Sequence, residues 1–83
     1  MRIIERQNGD LARLQSLARR EKNAEQRDRY RVVMLAIDQR ETGDIQERLH
    51  RSRGFVQRWS YAYRDGGIEA LKDKPRGGSK PKL

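Results

Sequence analysis

In 83 residues there is room for one domain and a tail, and a chain this small buries only about 60% of its unfolded surface. With 39% of residues charged and 34% hydrophobic, the core must be thin and assembled from helix stripes. The formal net charge of +8 favours a polyanionic partner, while the lack of cysteine excludes a disulfide framework and thiolate metal sites.

Met1-Arg2-Ile3-Ile4 is followed at once by charge. No signal peptide is expected from it, and the cytoplasm or nucleoid is the default compartment. No apolar run reaches the roughly 20 residues that a membrane span needs. Residues 1–7 read as a short extended or frayed segment. Asn8-Gly9-Asp10 is turn chemistry, and Asn8 or Asp10 can cap the helix that follows. Leu11, Leu14, Leu17 and Ala18 predict a helix over 11–22, with Arg19, Arg20 and Lys22 near its C-terminal end, where cations suit the helix dipole.

Asn23 marks a break. Tyr30, Val33, Met34 and Ile37 then fall at i, i+3, i+4 and i+7, widened by Val32, Leu35 and Ala36. A helix is predicted over 24–41, the most buried of the set, ended by Thr42-Gly43 with glycine left-handed. Two short helices follow over 44–50 and 52–64, meeting at a tight bend. Ile45 and Leu49 share one face of the first, and Asp44 with Glu47 reads as a capping box. Ser52 is the N-cap of the second, and Val56, Trp59 and Tyr63 form its apolar stripe. This is helix-turn-helix patterning, with the helix-turn-helix at 44–63. Asp65-Gly66-Gly67 stops the last helix, and Ile68, Ala70 and Leu71 predict one further turn packing back on the core. From Lys72 onward two prolines, three lysines beyond it and little apolar content give a basic tail or linker, so the domain is bounded at 1–71 and the tail at 72–83.

The basic residues concentrate in this second half. Arg51, Ser52, Arg53, Gln57, Arg58, Tyr61 and Arg64 are the candidate DNA contacts of the bend and its second helix. Lys74, Arg76 and Lys80 extend them along the tail, where Arg76 between a proline and glycines has the character of a minor-groove arm. Trp59 is expected in the core rather than as a stacking platform. Phe55 divides between core and surface, and Tyr61 between phosphate contact and simple exposure. Asp38, Glu41, Asp44 and Glu47 are better explained as caps and ion-pair partners than as a metal cluster, and His50 has no second histidine beside it. Gly77-Gly78-Ser79-Lys80 lacks P-loop spacing and a preceding strand. No catalytic residue, metal, cofactor or small-molecule substrate is expected.

Three segments together carry a resemblance: the arginine-rich helix 26–37, the core Asp44-Ile45…Leu49…Ser52…Val56…Trp59, and Tyr63-Arg64-Asp65-Gly66-Gly67-Ile68-Glu69-Ala70-Leu71 leading to Lys74-Pro75-Arg76-Gly77-Gly78. Over Leu11 to Leu83 the chain resembles the N-terminal DNA-binding region of bacterial insertion-sequence transposases of the mariner-like superfamily. The resemblance implies binding to terminal inverted repeats. It also implies a separate metal-dependent nuclease domain with three carboxylates, for which this length leaves no room. Gln46 stands where the family favours alanine, His50 where a turn glycine is usual, and Arg51 where an aliphatic residue is found. Histidine tolerates the left-handed conformation poorly, so a shifted or longer turn is expected.

The expectation is an all-α helix-turn-helix bundle, homeodomain-like or winged-helix-like, of four or five short helices. It would bind double-stranded DNA and do no chemistry. The alternatives are a stand-alone repressor, a remnant of a decayed transposase gene, and a helical module that homodimerises through residues 11–37.

Overall fold

The predicted stripes appear in a computed structural model as α1 (Asp10–Arg20), α2 (Ala24–Ile37), α3 (Thr42–Leu49) and α4 (Arg53–Gly66), closed by a 3-10 turn, η1 (Ile68–Leu71). The structure describes residues 3–72, and among them there is no strand. The tail candidates Lys74, Arg76 and Lys80 lie outside the described residues. Helix α2 is the hub, packing on α1, α3, α4 and η1 in turn. Its Tyr30, Val32, Val33 and Ala36 meet Leu14 and Ala18 of α1, Ile45 and Leu49 of α3, Val56 and Tyr63 of α4 and Leu71 of η1 in one buried cluster. Met34 and Ile37, on the apolar stripe of the sequence, are only partly buried at its margin.

Local chemistry sets the helix ends. Asn23 caps α2, its side chain accepting from the Gln26 N–H at 2.9 Å. Ser52 caps α4 as expected, accepting from the Phe55 N–H at 3.2 Å. Gly67 ends α4 at φ 75°, its N–H donating to the Tyr63 carbonyl, and turns the chain into η1. Leu71 of η1 is fully buried, and its carbonyl accepts from Gln26 Nε2 at 2.6 Å. The single turn predicted to fold back on the core is therefore present.

Several expectations are corrected. Helix α2 stops at Ile37, four residues early, because Gln39 takes the left-handed position at φ 65°. Gln39 N–H donates to the Ala36 carbonyl and Arg40 N–H to the Leu35 carbonyl, the paired closure of a Schellman motif. Its side chain also donates to the carbonyls of Ile3 and Ile37, which offsets the strain of a non-glycine residue there. Thr42-Gly43 consequently begins α3 instead of ending α2. The capping box does not form: Glu41 holds the N-cap position without a side-chain bond, and Asp44 pairs with Arg48 at 3.2 Å and Arg40 at 3.8 Å.

His50 gives the opposite outcome to the one predicted. It adopts φ 55°, ψ 46°, with its N–H on the Gln46 carbonyl, so the turn keeps the left-handed shape with histidine in the glycine's place. Residues 3–7 are also not frayed. Ile3 is 2% exposed within the core, and the Arg6 N–H donates to the Tyr63 hydroxyl at 2.8 Å. On α1 neither Asn8 nor Asp10 caps by its side chain. Gly9 occupies the N-cap position in the left-handed region, and Asp10 is the first helical residue, 3% exposed.

Candidate nucleic-acid interface

The two sides of α4 separate cleanly. Val56, Ser60 and Tyr63 are fully buried, and they follow i, i+4, i+7 spacing. Trp59, assigned to that stripe from the sequence, instead sits on its flank and is partly buried. The Arg29 guanidinium lies 4.2 Å over its ring and that of Arg58 at 5.0 Å, while Phe55 meets it edge-on at 6.3 Å between centroids. The tryptophan thus forms a cationic ledge between α2 and α4, and Phe55 is likewise partly buried.

About a quarter turn from that stripe Arg53, Gln57, Tyr61 and Arg64 follow i, i+4, i+8 and i+11. Arg53, Tyr61 and Arg64 are exposed and Gln57 is half-buried. Arg64 stacks over the Tyr61 ring at 4.6 Å and pairs with Asp65 at 3.1 Å. Arg58 is exposed beside this row. The row offers guanidinium forks, an amide and a phenol, groups that hydrogen-bond phosphate oxygens and base edges. Ser52, at the head of the row, already uses its hydroxyl as the cap.

Arg51 stands apart from these. Its Nε is 2.8 Å from Asp28 Oδ2, and its guanidinium lies 4.8 Å over the Phe55 ring. Asp28 is itself buried on α2, so the pair fastens the inter-helix turn to the hub. The structure therefore brings Ser52, Arg53, Gln57, Arg58, Tyr61 and Arg64 onto one helix and gives Arg51 a structural partner. Among the described residues no group of three histidine or carboxylate side chains is placed to hold a metal ion.

A buried polar network holds the other end of α4, and the sequence reading missed it. The Tyr63 hydroxyl donates to Asp10 Oδ2 at 2.7 Å and accepts from the Arg6 N–H. Asp10 also receives the Gln7 N–H at 3.3 Å and pairs with Arg13 at 3.3 Å. Arg6 donates from its guanidinium to the Arg64 carbonyl. Burial, with the Asp10 hydrogen bond second, pushes the Tyr63 hydroxyl up to about 12. As a helix-start residue Asp10 gives no sign of burial in the sequence, because its partner Tyr63 lies 53 residues away.

Helices α2, α3 and α4 around one core, with α4 capped after a tight left-handed turn, define a helix-turn-helix domain. The chain belongs to the helix-turn-helix domain family, whose model matches residues 28–80. The match takes in most of α2, all of α3, α4 and η1, and leaves α1 outside it. No curated protein and no solved structure matches the chain. Membership suggests duplex DNA as the partner, in keeping with the exposed cationic side of α4. No helix of the described residues is long and apolar enough to cross a membrane.

Proposed function

We propose that the chain reads a specific duplex sequence by laying the Arg53–Gln57–Tyr61–Arg64 row of α4 in the major groove, as the end-recognising part of a transposase. The observation that carries the reading is that row. It is a polar, cationic stripe about a quarter turn from the fully buried Val56, Ser60 and Tyr63, and its helix is capped by Ser52. The transposase assignment rests on the resemblance of 26–37, 44–59 and 63–78, and the terminal repeat is its natural target. Arg58 supports the row from its flank, Arg51 acts through the turn, and the tail cations Lys74, Arg76 and Lys80 add phosphate contacts.

Selection of bound duplexes from a random pool tests this. A single enriched motif is the expected result. Arg53→Ala or Gln57→Ala then costs roughly 1–3 kcal/mol on that motif and little on random duplex. Equal losses on both would mean that the row touches phosphate alone, and the claim of sequence reading would fall. Affinity must also drop steeply as salt rises. A salt-indifferent self-association in place of DNA binding would leave the dimerisation module standing.

A further inference from the structure

A second set of arginines lies away from α4. Arg19 on α1 and Arg27 and Arg31 on α2 converge on one groove between these helices, floored by Ala18 and Met34. None of the three has a hydrogen bond or ion pair among the described residues, in contrast to most other arginines of the fold. Spacing explains this. The i±3 and i±4 neighbours of Arg19 are Gln15, Ser16, Lys22 and Asn23, and those of Arg27 are Asn23, Ala24, Tyr30 and Arg31. Arg31 has Asp28 three residues before it, but that carboxylate is taken by Arg51. The other acids nearby are also committed: Glu25 to Arg29, Asp38 to Arg40, and Glu21 to the Asn23 N–H.

Arg27 carries the strongest sign of a missing partner. Its Nε is sealed from solvent with no acceptor, and the half-buried side chain lines the groove. Three guanidinium forks on one groove, left without an anion, are suited to a phosphate diester. The groove also lies on another side of the hub from the α4 row. Asp28 and Arg29 are the α2 residues that reach Arg51 and Trp59 of the α4 side. At about 100° per residue, Arg27 and Arg31 point about 150° and about 110° away from the mean of those two. The groove therefore opens on a different part of the α2 surface from the one that meets Arg51 and Trp59.

We propose that the α1–α2 groove is a second DNA-backbone site, so that one chain holds two duplexes, one read by α4 and one gripped by phosphate contacts to Arg19, Arg27 and Arg31. The inference goes beyond sequence reading by α4 and can fail while that reading stands. The test immobilises one short duplex, saturates it with the full chain and measures capture of a second, fluorescent duplex of unrelated sequence. Light scattering on the chain alone checks that one chain, not a dimer, carries both duplexes. Wild type should capture the second duplex. Arg19→Gln/Arg27→Gln/Arg31→Gln should reduce capture at least about tenfold while leaving affinity for one preferred duplex within about threefold. Arg53→Ala should do the reverse, lowering affinity for the preferred duplex and sparing the groove. Should the triple variant misfold by circular dichroism, Arg19→Gln/Arg31→Gln alters only exposed side chains and must still lower capture. Failure of wild type to capture a second duplex, or full capture by a folded groove variant, would overturn the second site without touching the role of α4.

Discussion

Tyr61 and Tyr63 are two residues apart on α4, about 200° around the helix, and they live in different chemistry. Tyr63 is fully buried, its hydroxyl fixed between Asp10 and the Arg6 N–H. Tyr61 is 37% exposed, with Arg64 over its ring. The inner side of α4 holds the helix to the fold at its C-terminal end. The outer side contributes almost nothing to the core and is free to be chosen for a partner. A helix that reads DNA needs both, because a row of side chains can match a groove only if the helix bearing it does not shift.

The largest effect should fall on the inner side. Tyr63→Ala removes a buried ring and one of the hydrogen bonds to Asp10, and should cost about 3–5 kcal/mol, a large share of the stability of so small a domain. Tyr61→Ala should change stability by less than about 0.5 kcal/mol while weakening binding to the preferred duplex. Urea denaturation and a binding isotherm on both variants measure the contrast. A destabilising Tyr61→Ala would break it, since the outer ring would then be part of the fold.

The same contrast has a pH signature. The Tyr63 hydroxyl is raised in the folded state from its ordinary 10.0 to about 12. A raised value favours the protonated, folded form. That contribution is complete below pH 10 and is lost as pH climbs through about 12. Wild type should lose stability over this interval faster than Tyr63→Phe, which has no proton to release there. Parallel alkaline curves for the two would show that the buried hydroxyl is not linked to folding.

How far these two sides could be read from the sequence depends on how local their causes are. The helices themselves, the Ser52 cap, the Asn23 break and the turn at Ile68–Leu71 depend on neighbours within a few residues, and they appear in the fold. The stripe of α4 was read as Val56, Trp59, Tyr63 because hydrophobicity was taken as the guide. Burial follows helix phase instead, and gives the middle place to the small Ser60. Gln39 and His50 show the same limit. Both accept left-handed backbone that glycine would take more cheaply, and at Gln39 the compensation comes from Ile3, 36 residues away. Asp10 and Tyr63 are 53 residues apart, beyond any periodicity. The candidate row on α4 was legible because it is the complement of an apolar stripe. The structural use of Arg51 was not, since its partner Asp28 lies on another helix.

The smallest effects come from two substitutions to alanine, one on each side of α4, that should agree in stability and differ in binding. Ser60 is fully buried, and its hydroxyl has no hydrogen-bond partner among the described residues. Ser60→Ala removes that unsatisfied group and should be neutral or stabilising by up to about 1 kcal/mol, with affinity for DNA unchanged. Gly54 lies in the first turn of α4, exposed, between Arg53 and the rest of the row. Its backbone has no left-handed twist to justify glycine, and an added Cβ would meet only Ser52 Oγ, at 4.0 Å. Glycine in a helix costs up to about 1 kcal/mol relative to alanine, so the fold alone gives no reason for it here. Its physical use would be to let a phosphate or base edge approach the backbone of that first turn. Gly54→Ala should therefore raise the melting temperature slightly and still weaken binding to the preferred duplex by a few fold, roughly 1 kcal/mol. If Gly54→Ala stabilises the domain and binds as well as wild type, the DNA does not come close to the head of α4, and the row must be engaged from its Tyr61–Arg64 end.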